Sequence, residues 1–242
     1  RRALPAKKQS STIWKTPQGG SSTLTRRSMC VPTLFPFSMT NITTNPAIVT
    51  IQTQLPDDLC DIICKQYAPD NDETMEDAHT RTWDDEKGKH SKSWDHTVRK
   101  TEVKWIPDHN WIAGMISYYV EQLNEMHFRY DISGISGNHF QYSVYKDGGH
   151  YDWHTDEPRN LFYLTTKRPD EQIRKLSFSL QLSDPRDYDG GDLCFRGENN
   201  VGEVVQPRDR GMLILFDSRM EHKVSPVTSG VRHALVGWYT GP

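Results

Sequence analysis

Leu176-Ser177-Phe178-Ser179-Leu180-Gln181-Leu182-Ser183 alternates apolar and polar side chains without a break. A period of two is the pleat of a β-strand, so the apolar residues share one face and Ser177, Ser179 and Gln181 share the other. In a closed jelly roll the polar face would line a cavity while the apolar face packs against helices. The plainer reading is a half-exposed strand with its polar face in water. Short runs of the same kind, separated by Gly, Pro and Asp, lie on both sides: 139–145, 150–156, 191–196, 203–206, 211–217 and 231–239. Many short strands punctuated by turn residues describe a sandwich or barrel.

Upstream of Gly137 the period lengthens. Ala47 to Thr53 reads as a strand, and Leu55-Pro56-Asp57-Asp58 then opens a helix whose acids sit at the positive end of its dipole. Leu55, Leu59, Ile62, Ile63 and Tyr67 give that helix an apolar face. Residues 69–100 are charged and interrupted, an excursion with one strand near 97–105. Asn110 is an N-cap candidate for a second helix, where Trp111, Ile112, Met115, Ile116, Tyr119, Leu123 and Met126 follow at helical spacing, the mark of a core face. The expected fold is α+β, with helical support over 55–130 packed against a jelly-roll core over 137–242, in one domain from 39 to 242.

Residues 1–38 are rich in Ser, Thr, Arg and Pro and have no sustained periodicity. They read as a disordered leader: a transit peptide, a vector remnant or sequence upstream of a start at Met39. The sequon Asn41-Ile42-Thr43 matters only in a secreted chain.

The 242 residues are 35% hydrophobic and 25% charged, a soluble globular balance, and no stretch reaches the roughly 18–20 apolar residues of a membrane span. The net charge of −3 conceals an asymmetry: residues 1–38 hold seven basic residues and no acid, leaving 22 basic against 32 acidic residues in the rest. So acidic a body offers no track for a phosphate backbone, which counts against nucleic acid as a partner. Cys30, Cys60, Cys64 and Cys194 form neither a CxxC pair nor a dense framework, which points to a reduced compartment, the cytoplasm, or an organelle if the leader is a transit peptide. Cys60 and Cys64 lie four apart on one helix, and small buried apolar residues are the simplest reading of them.

His154-Thr155-Asp156 is followed by His222. On a strand, positions i and i+2 point to one side, so His154 and Asp156 can converge, and a histidine from a distant strand would complete two imidazoles and a carboxylate on one face of a metal. That set leaves positions open for a substrate and O2 and suits non-haem Fe(II). With ten histidines in the chain, the spacing alone is a weak signal. Arg232 strengthens it. In the run Arg232-His233-Ala234-Leu235-Val236-Gly237-Trp238, Arg232 shares a face with Ala234, Val236 and Trp238, and a guanidinium buried there requires an anionic partner. If Asp156 is committed to a metal, that partner can be the carboxylate of a bound small molecule, held through two parallel hydrogen bonds. His233, on the other face, reads as a surface or packing histidine.

From about residue 110 onward the chain resembles the Fe(II)/2-oxoglutarate-dependent dioxygenases, in their prolyl-4-hydroxylase-like branch. The resemblance is carried by Asn124–Gly134 (NEMHFRYDISG), Gln141–Tyr145 (QYSVY), Gly149–Asp156 (GHYDWHTD), Arg174–Ser177, Leu180–Ser183 and Gly190–Leu193. It continues through His222–Thr228 (HKVSPVT), Gly230–Arg232 and Gly237–Pro242 (GWYTGP). It implies a double-stranded β-helix in which His154, Asp156 and His222 hold Fe(II) and Arg232 grips the distal carboxylate of 2-oxoglutarate. Tyr145 and Gln181 fall where relatives place further groups near this cosubstrate, although a core aromatic is nearly as good a reading of Tyr145. Gly190-Gly191-Asp192 reads as a tight turn, and Trp153 and Trp238 as packing residues that flank the site. The implied reaction is hydroxylation of a C–H bond, coupled by O2 to decarboxylation of 2-oxoglutarate to succinate, with ascorbate as reductant. Its implied acceptor is a prolyl residue of a protein or peptide. Asp156 favours hydroxylation over halogenation, which would need that ligand position open for chloride.

Three rivals remain. Nucleic-acid demethylases share the triad but carry a second arginine six residues after the first, where this chain has Trp238. A hydroxylase of a free amino acid or other small molecule would differ only in loops such as 69–100 and 157–173. A catalytically silent jelly-roll binding module would be expected to lose a ligand or the arginine, and all four residues are present.

Overall fold

The alternating run becomes the strand Ile173–Gln181, paired antiparallel with Met212–Asp217 on one side and Val227–Gly241 on the other. A computed structural model describes residues 42–68, 75–84, 89–157, 171–197 and 202–242. Among these, a ten-stranded sheet runs in the order 42–45, 48–52, 212–217, 173–181, 227–241, 139–146, 102–107 and 76–77, with 134–135 and 188–190 also paired to 227–241. A second sheet of five strands runs 203–205, 193–196, 222–224, 150–154 and 99–100.

Helices α1 (Asp57–Tyr67) and α2 (Trp111–Leu123) pack against one side of the large sheet. Leu176, Phe178, Leu180 and Leu182 meet Ile63, Ile112 and Ile116 there. Ser177, Ser179 and Gln181 point the other way and are also buried. The polar face of this strand therefore does not lie in water; it is turned to the inside of the fold. A second apolar cluster joins Tyr145 and Ile214 of the large sheet to Leu193, Phe195 and Val224 of the small one, so the two sheets close on each other.

Several expectations need correction. In α1 the buried stripe is Cys60, Ile63 and Tyr67, while Ile62 is half exposed; the true stripe follows the i, i+3, i+7 spacing through Cys60. In α2, Asn110 caps as expected, its side chain accepting the Ile112 N–H at 3.1 Å. The buried stripe runs through Ile112, Ala113, Ile116, Val120 and Leu123, whereas Trp111 and Met126 face outward. The excursion at 69–100 contains a hairpin, Thr80–Asp84 with Lys89–Ser93. The strand expected near 97–105 is two, because the chain changes sheets at Thr101: 99–100 pairs with 150–151 and 102–107 with 139–144. Strand 48–52 pairs with 212–216, so the β-core extends well upstream of Gly137.

Candidate metal centre

His154 ends the strand His150–His154, and the expected strand 150–156 stops there. Tyr151 is opposite Val224 and His154 opposite His222, so Asp152 and Trp153 together face Lys223. This β-bulge resets the alternation and brings Tyr151 and His154 to the same side, their rings stacked at 3.5 Å between centroids. Trp153 faces away, between the Arg196 guanidinium at 3.8 Å and the Lys223 ammonium at 4.7 Å, and plays a packing role.

Asp156 lies in a bend, so the strand argument for its convergence with His154 does not apply. A carbonyl places it: Ser218 O accepts the N–H groups of both Asp156 and Glu157 at 2.9 Å. The result is still convergence. His154 Nε2 is 3.8 Å from Asp156 Oδ1, and His222 Nε2 is 3.6 Å from Asp156 Oδ2. One ligand atom from each of the three residues lies within 4.8 Å of the others.

The protonation states suit a cation. His154 Nδ1 lies 2.7 Å from Asp152 O and His222 Nδ1 lies 2.9 Å from Met220 O. A carbonyl only accepts, so each Nδ1 carries the proton and each Nε2 offers a lone pair to the centre. Burial, then the neighbouring His222, pushes the His154 imidazole down to about 3, which keeps it neutral. Burial raises the Asp156 carboxyl, but His222, His154, Arg174 and a Ser177 hydrogen bond outweigh it and hold the group below the usual carboxylate range. Two imidazole nitrogens and one carboxylate oxygen converging on one point fit a divalent first-row metal.

Arg232 is 2% exposed and lies opposite Tyr145 in the adjacent strand, its guanidinium carbon 5.1 Å from the Tyr145 ring. Its Nη2 donates to Gln181 Oε1 at 2.9 Å. Its buried Nη1 has no hydrogen-bond partner, and among the described residues no carboxylate pairs with the group. A buried guanidinium with one satisfied edge and one bare edge fits the carboxylate of a bound small molecule. The structure thus brings His154, Asp156 and His222 together at one point, and Arg232, Tyr145 and Gln181 together at another. Gly190, the last residue of the strand Tyr188–Gly190, and Gly191, in the two-residue link to Leu193–Arg196, both take left-handed φ, +71° and +65°, so the expected tight turn is a strand end and a short link.

Three residues not singled out as site residues also line the centre. Tyr151 stacks on His154, Arg99 lies over the Tyr151 ring with its guanidinium carbon 4.5 Å from the centroid, and Arg174 stacks on Trp238 at 3.9 Å. Arg174 also donates to Asp156 O at 3.4 Å. The bulge conceals Tyr151 from a period-two reading, and a charge on a short edge strand reads as solvated in the case of Arg99. His233 hydrogen-bonds and stacks on Tyr142, a packing role as expected.

Residues 140–240 match the model of the 2OG-Fe(II) oxygenase superfamily. A PKHD-type hydroxylase of Synechococcus sp. (strain JA-2-3B'a(2-13)) is 41% identical over 96 residues, 40% of each chain. One from Pseudomonas putida (strain W619) is 37% identical over 96 residues, again 40% of each. The match therefore spans two fifths of the length of these curated relatives. Among solved structures, a prolyl-4-hydroxylase from Pseudomonas putida superposes with a TM-score of 0.58 at 19% identity, over 82% of this chain and 94% of that one. The viral collagen prolyl hydroxylase from Paramecium Bursaria Chlorella virus-1 gives 0.56 at 17% identity, over 81% and 97%. These likenesses are to a shared double-stranded β-helix. The stretch that matches the 2OG-Fe(II) oxygenase superfamily model thus contains both histidines, Asp156 and Arg232, and the chain is similar there to PKHD-type hydroxylases.

Proposed function

We propose that this protein is an Fe(II)- and 2-oxoglutarate-dependent hydroxylase acting on prolyl residues of a protein or peptide. The observation that carries the reading is the pair of sites between the sheets: a convergent His-Asp-His cluster, and a buried arginine whose Nη1 lacks an acceptor. When bound, Fe(II) with 2-oxoglutarate and O2 supplies oxidative decarboxylation to succinate and transfer of one oxygen atom to a C–H bond. His154, Asp156 and His222 would hold the iron from one side. Arg232 would receive the distal carboxylate on its open edge, with Gln181 fixing the other edge and Tyr145 walling the pocket. Burial of Arg232 makes this pairing strong, because the charge has little water to exchange for the ligand.

The peptide-proline assignment is supported by what the similar proteins are named, PKHD-type hydroxylases in sequence and prolyl hydroxylases in structure. One of the superposing structures, from Trichoplax adhaerens, is of a prolyl hydroxylase in complex with a hypoxia inducible factor oxygen degradation domain peptide fragment. The loop 157–173, expected to govern specificity, lies largely outside the described residues. Ascorbate as the reductant belongs to the same reading, as does a reducing compartment such as the cytoplasm, which the free Cys60, Cys64 and Cys194 support. No helix among the described residues is long and apolar enough to cross a bilayer. The extent of the domain, 39–242 with a separate leader, is part of the proposal.

The test is mass spectrometry of proline-containing peptides, with free proline and other free amino acids alongside, after incubation with enzyme, Fe(II), 2-oxoglutarate and ascorbate in air. A peptide that gains one oxygen atom on proline supports the assignment. Oxygen gain on a free amino acid alone would replace it with the small-molecule reading.

A further inference from the structure

The run Asn124–Gly134 supplies no ligand, yet hydrogen bonds connect it to the metal centre. After α2 the chain makes one π-turn, Asn124–Phe128, closed by the Arg129 N–H on Asn124 O at 2.7 Å with Arg129 at φ +55°. The buried Asn124 side chain then holds Tyr130 from both sides, accepting its N–H at 3.0 Å and donating to its carbonyl at 2.8 Å. So fixed, Tyr130 Oη donates to Asp217 Oδ2 at 2.6 Å.

Asp217 is the last residue of its strand and is 7% exposed. Its Oδ1 accepts the Arg219 N–H at 2.9 Å and Nε–H at 2.8 Å, and its carbonyl accepts the Met220 N–H at 2.9 Å. Arg219 Nη2 also reaches Oδ2. The Asp217 side chain thereby sets the turn over residues 217–220. Two carbonyls of that turn face the ligands. Ser218 O takes the N–H groups of Asp156 and Glu157 at 2.9 Å, and Met220 O lies 2.9 Å from His222 Nδ1.

We infer that Asp217, held by Tyr130 and Arg219, is a positioning residue of the metal centre: through one turn it orients Asp156 by its backbone and His222 by its ring. The inference rests on the Fe(II) reading of the triad. It gives the sequence Asn124–Tyr130 a purpose that core packing alone does not, since the Asn124 clamp delivers a single hydroxyl to a single carboxylate. Partners one bond removed from a ligand typically govern metal affinity by about 10–100-fold.

Tyr130→Phe removes the hydroxyl and leaves the ring against Phe128, 5.6 Å away between centroids. Arg219→Gln is the second variant, at a side chain 46% exposed, where folding is not at risk. Each would be titrated anaerobically with Fe(II), well below its melting temperature, with wild type and His154→Ala alongside. Amide exchange at Asp156 and Glu157 would be followed in the metal-free proteins. The expected result is about a tenfold loss of Fe(II) affinity in both variants, with faster exchange at those two amides. A role confined to fold stability would move the melting temperature and leave Fe(II) affinity unchanged, so affinity within twofold of wild type in both variants overturns the inference. If Tyr130→Phe does not fold, Arg219→Gln alone decides. Wild type that takes up Fe(II) no better than His154→Ala would overturn the metal reading, and this inference with it.

Discussion

Arg232 is nearly sealed from water, with Gln181 on one edge of its guanidinium and a bare Nη1 on the other. If 2-oxoglutarate completes it, Arg232→Gln should weaken 2-oxoglutarate binding by about 100-fold, since each hydrogen bond to a charged group contributes about 1.5–3 kcal/mol. Fe(II) binding in the absence of cosubstrate should change less than twofold. Calorimetric titration of each ligand separates the two, and unchanged 2-oxoglutarate affinity would remove Arg232 from the site. Its neighbour His233 makes a different prediction. Burial, then Arg232, pushes the imidazole from an ordinary 6.5 down to about 4. The unfolded chain therefore takes up a proton before the folded one does. The contribution of His233 is complete above pH 6.5 and is lost as pH falls toward 4, by on the order of 2 kcal/mol. Its partner Tyr142 is neutral throughout this range, because burial raises its hydroxyl. Urea melts from pH 7 to 4 on metal-free protein should show the loss, and His233→Phe should flatten the slope; equal slopes would place the titration elsewhere.

At the scale of elements, the most exposed dependence is the turn before strand 193–196. Gly191 stands at φ +65°, and a methyl there would lie 2.9 Å from Val227 Cγ2 and 3.0 Å from Arg232 Cδ. Gly191→Ala should cost about 2 kcal/mol or more, combining a left-handed backbone with steric pressure, and should also weaken 2-oxoglutarate binding by shifting Arg232. Gly202 has a similar φ of +74° with open space around it, so Gly202→Ala should cost about 1 kcal/mol and leave binding alone. Thermal melts and cosubstrate titrations of the two variants check both halves. This pair also shows how far elements can be read from sequence. The strand 173–181, the cap at Asn110 and the glycine turn were legible because each rests on a local rule: alternation, a capping side chain, a residue without Cβ. The bulge at 152–153 was not. It depends on where Lys223 falls in the partner strand, so the i, i+2 argument joined His154 to Asp156 for a geometric reason the fold does not use. The hairpin over 80–93 escaped because its strands are charged, and the exchange of sheets at Thr101 because both halves look like one strand.

For the molecule as a whole, the two sheets close around paired sites that the unfolded chain does not possess, so ligands should stabilise the fold. At 100 times its dissociation constant each ligand adds about 2.7 kcal/mol. Fe(II) and 2-oxoglutarate together should then raise the melting temperature by roughly 10–20 °C, an increment that Arg232→Gln loses for 2-oxoglutarate and His154→Ala loses for iron. His154, Asp156, His222 and Arg232 are legible in the sequence because their chemistry is conspicuous, a carboxylate between two histidines and an arginine on an apolar face, whereas Tyr145 and Gln181 come only from the resemblance. The groups that orient the centre are not legible there, since Tyr130, Asp217 and Arg99 reach it only through tertiary hydrogen bonds and ring contacts. The most direct test of the account is succinate formation from 2-oxoglutarate with Fe(II) and ascorbate in air, in wild type, His154→Ala and Arg232→Gln. The account predicts succinate from wild type, none above background from His154→Ala, and a large rise in the 2-oxoglutarate concentration Arg232→Gln requires. Wild type that binds Fe(II) and 2-oxoglutarate yet forms no succinate with any peptide or amino acid offered would contradict it, and would leave a binding module with the pocket but not the reaction.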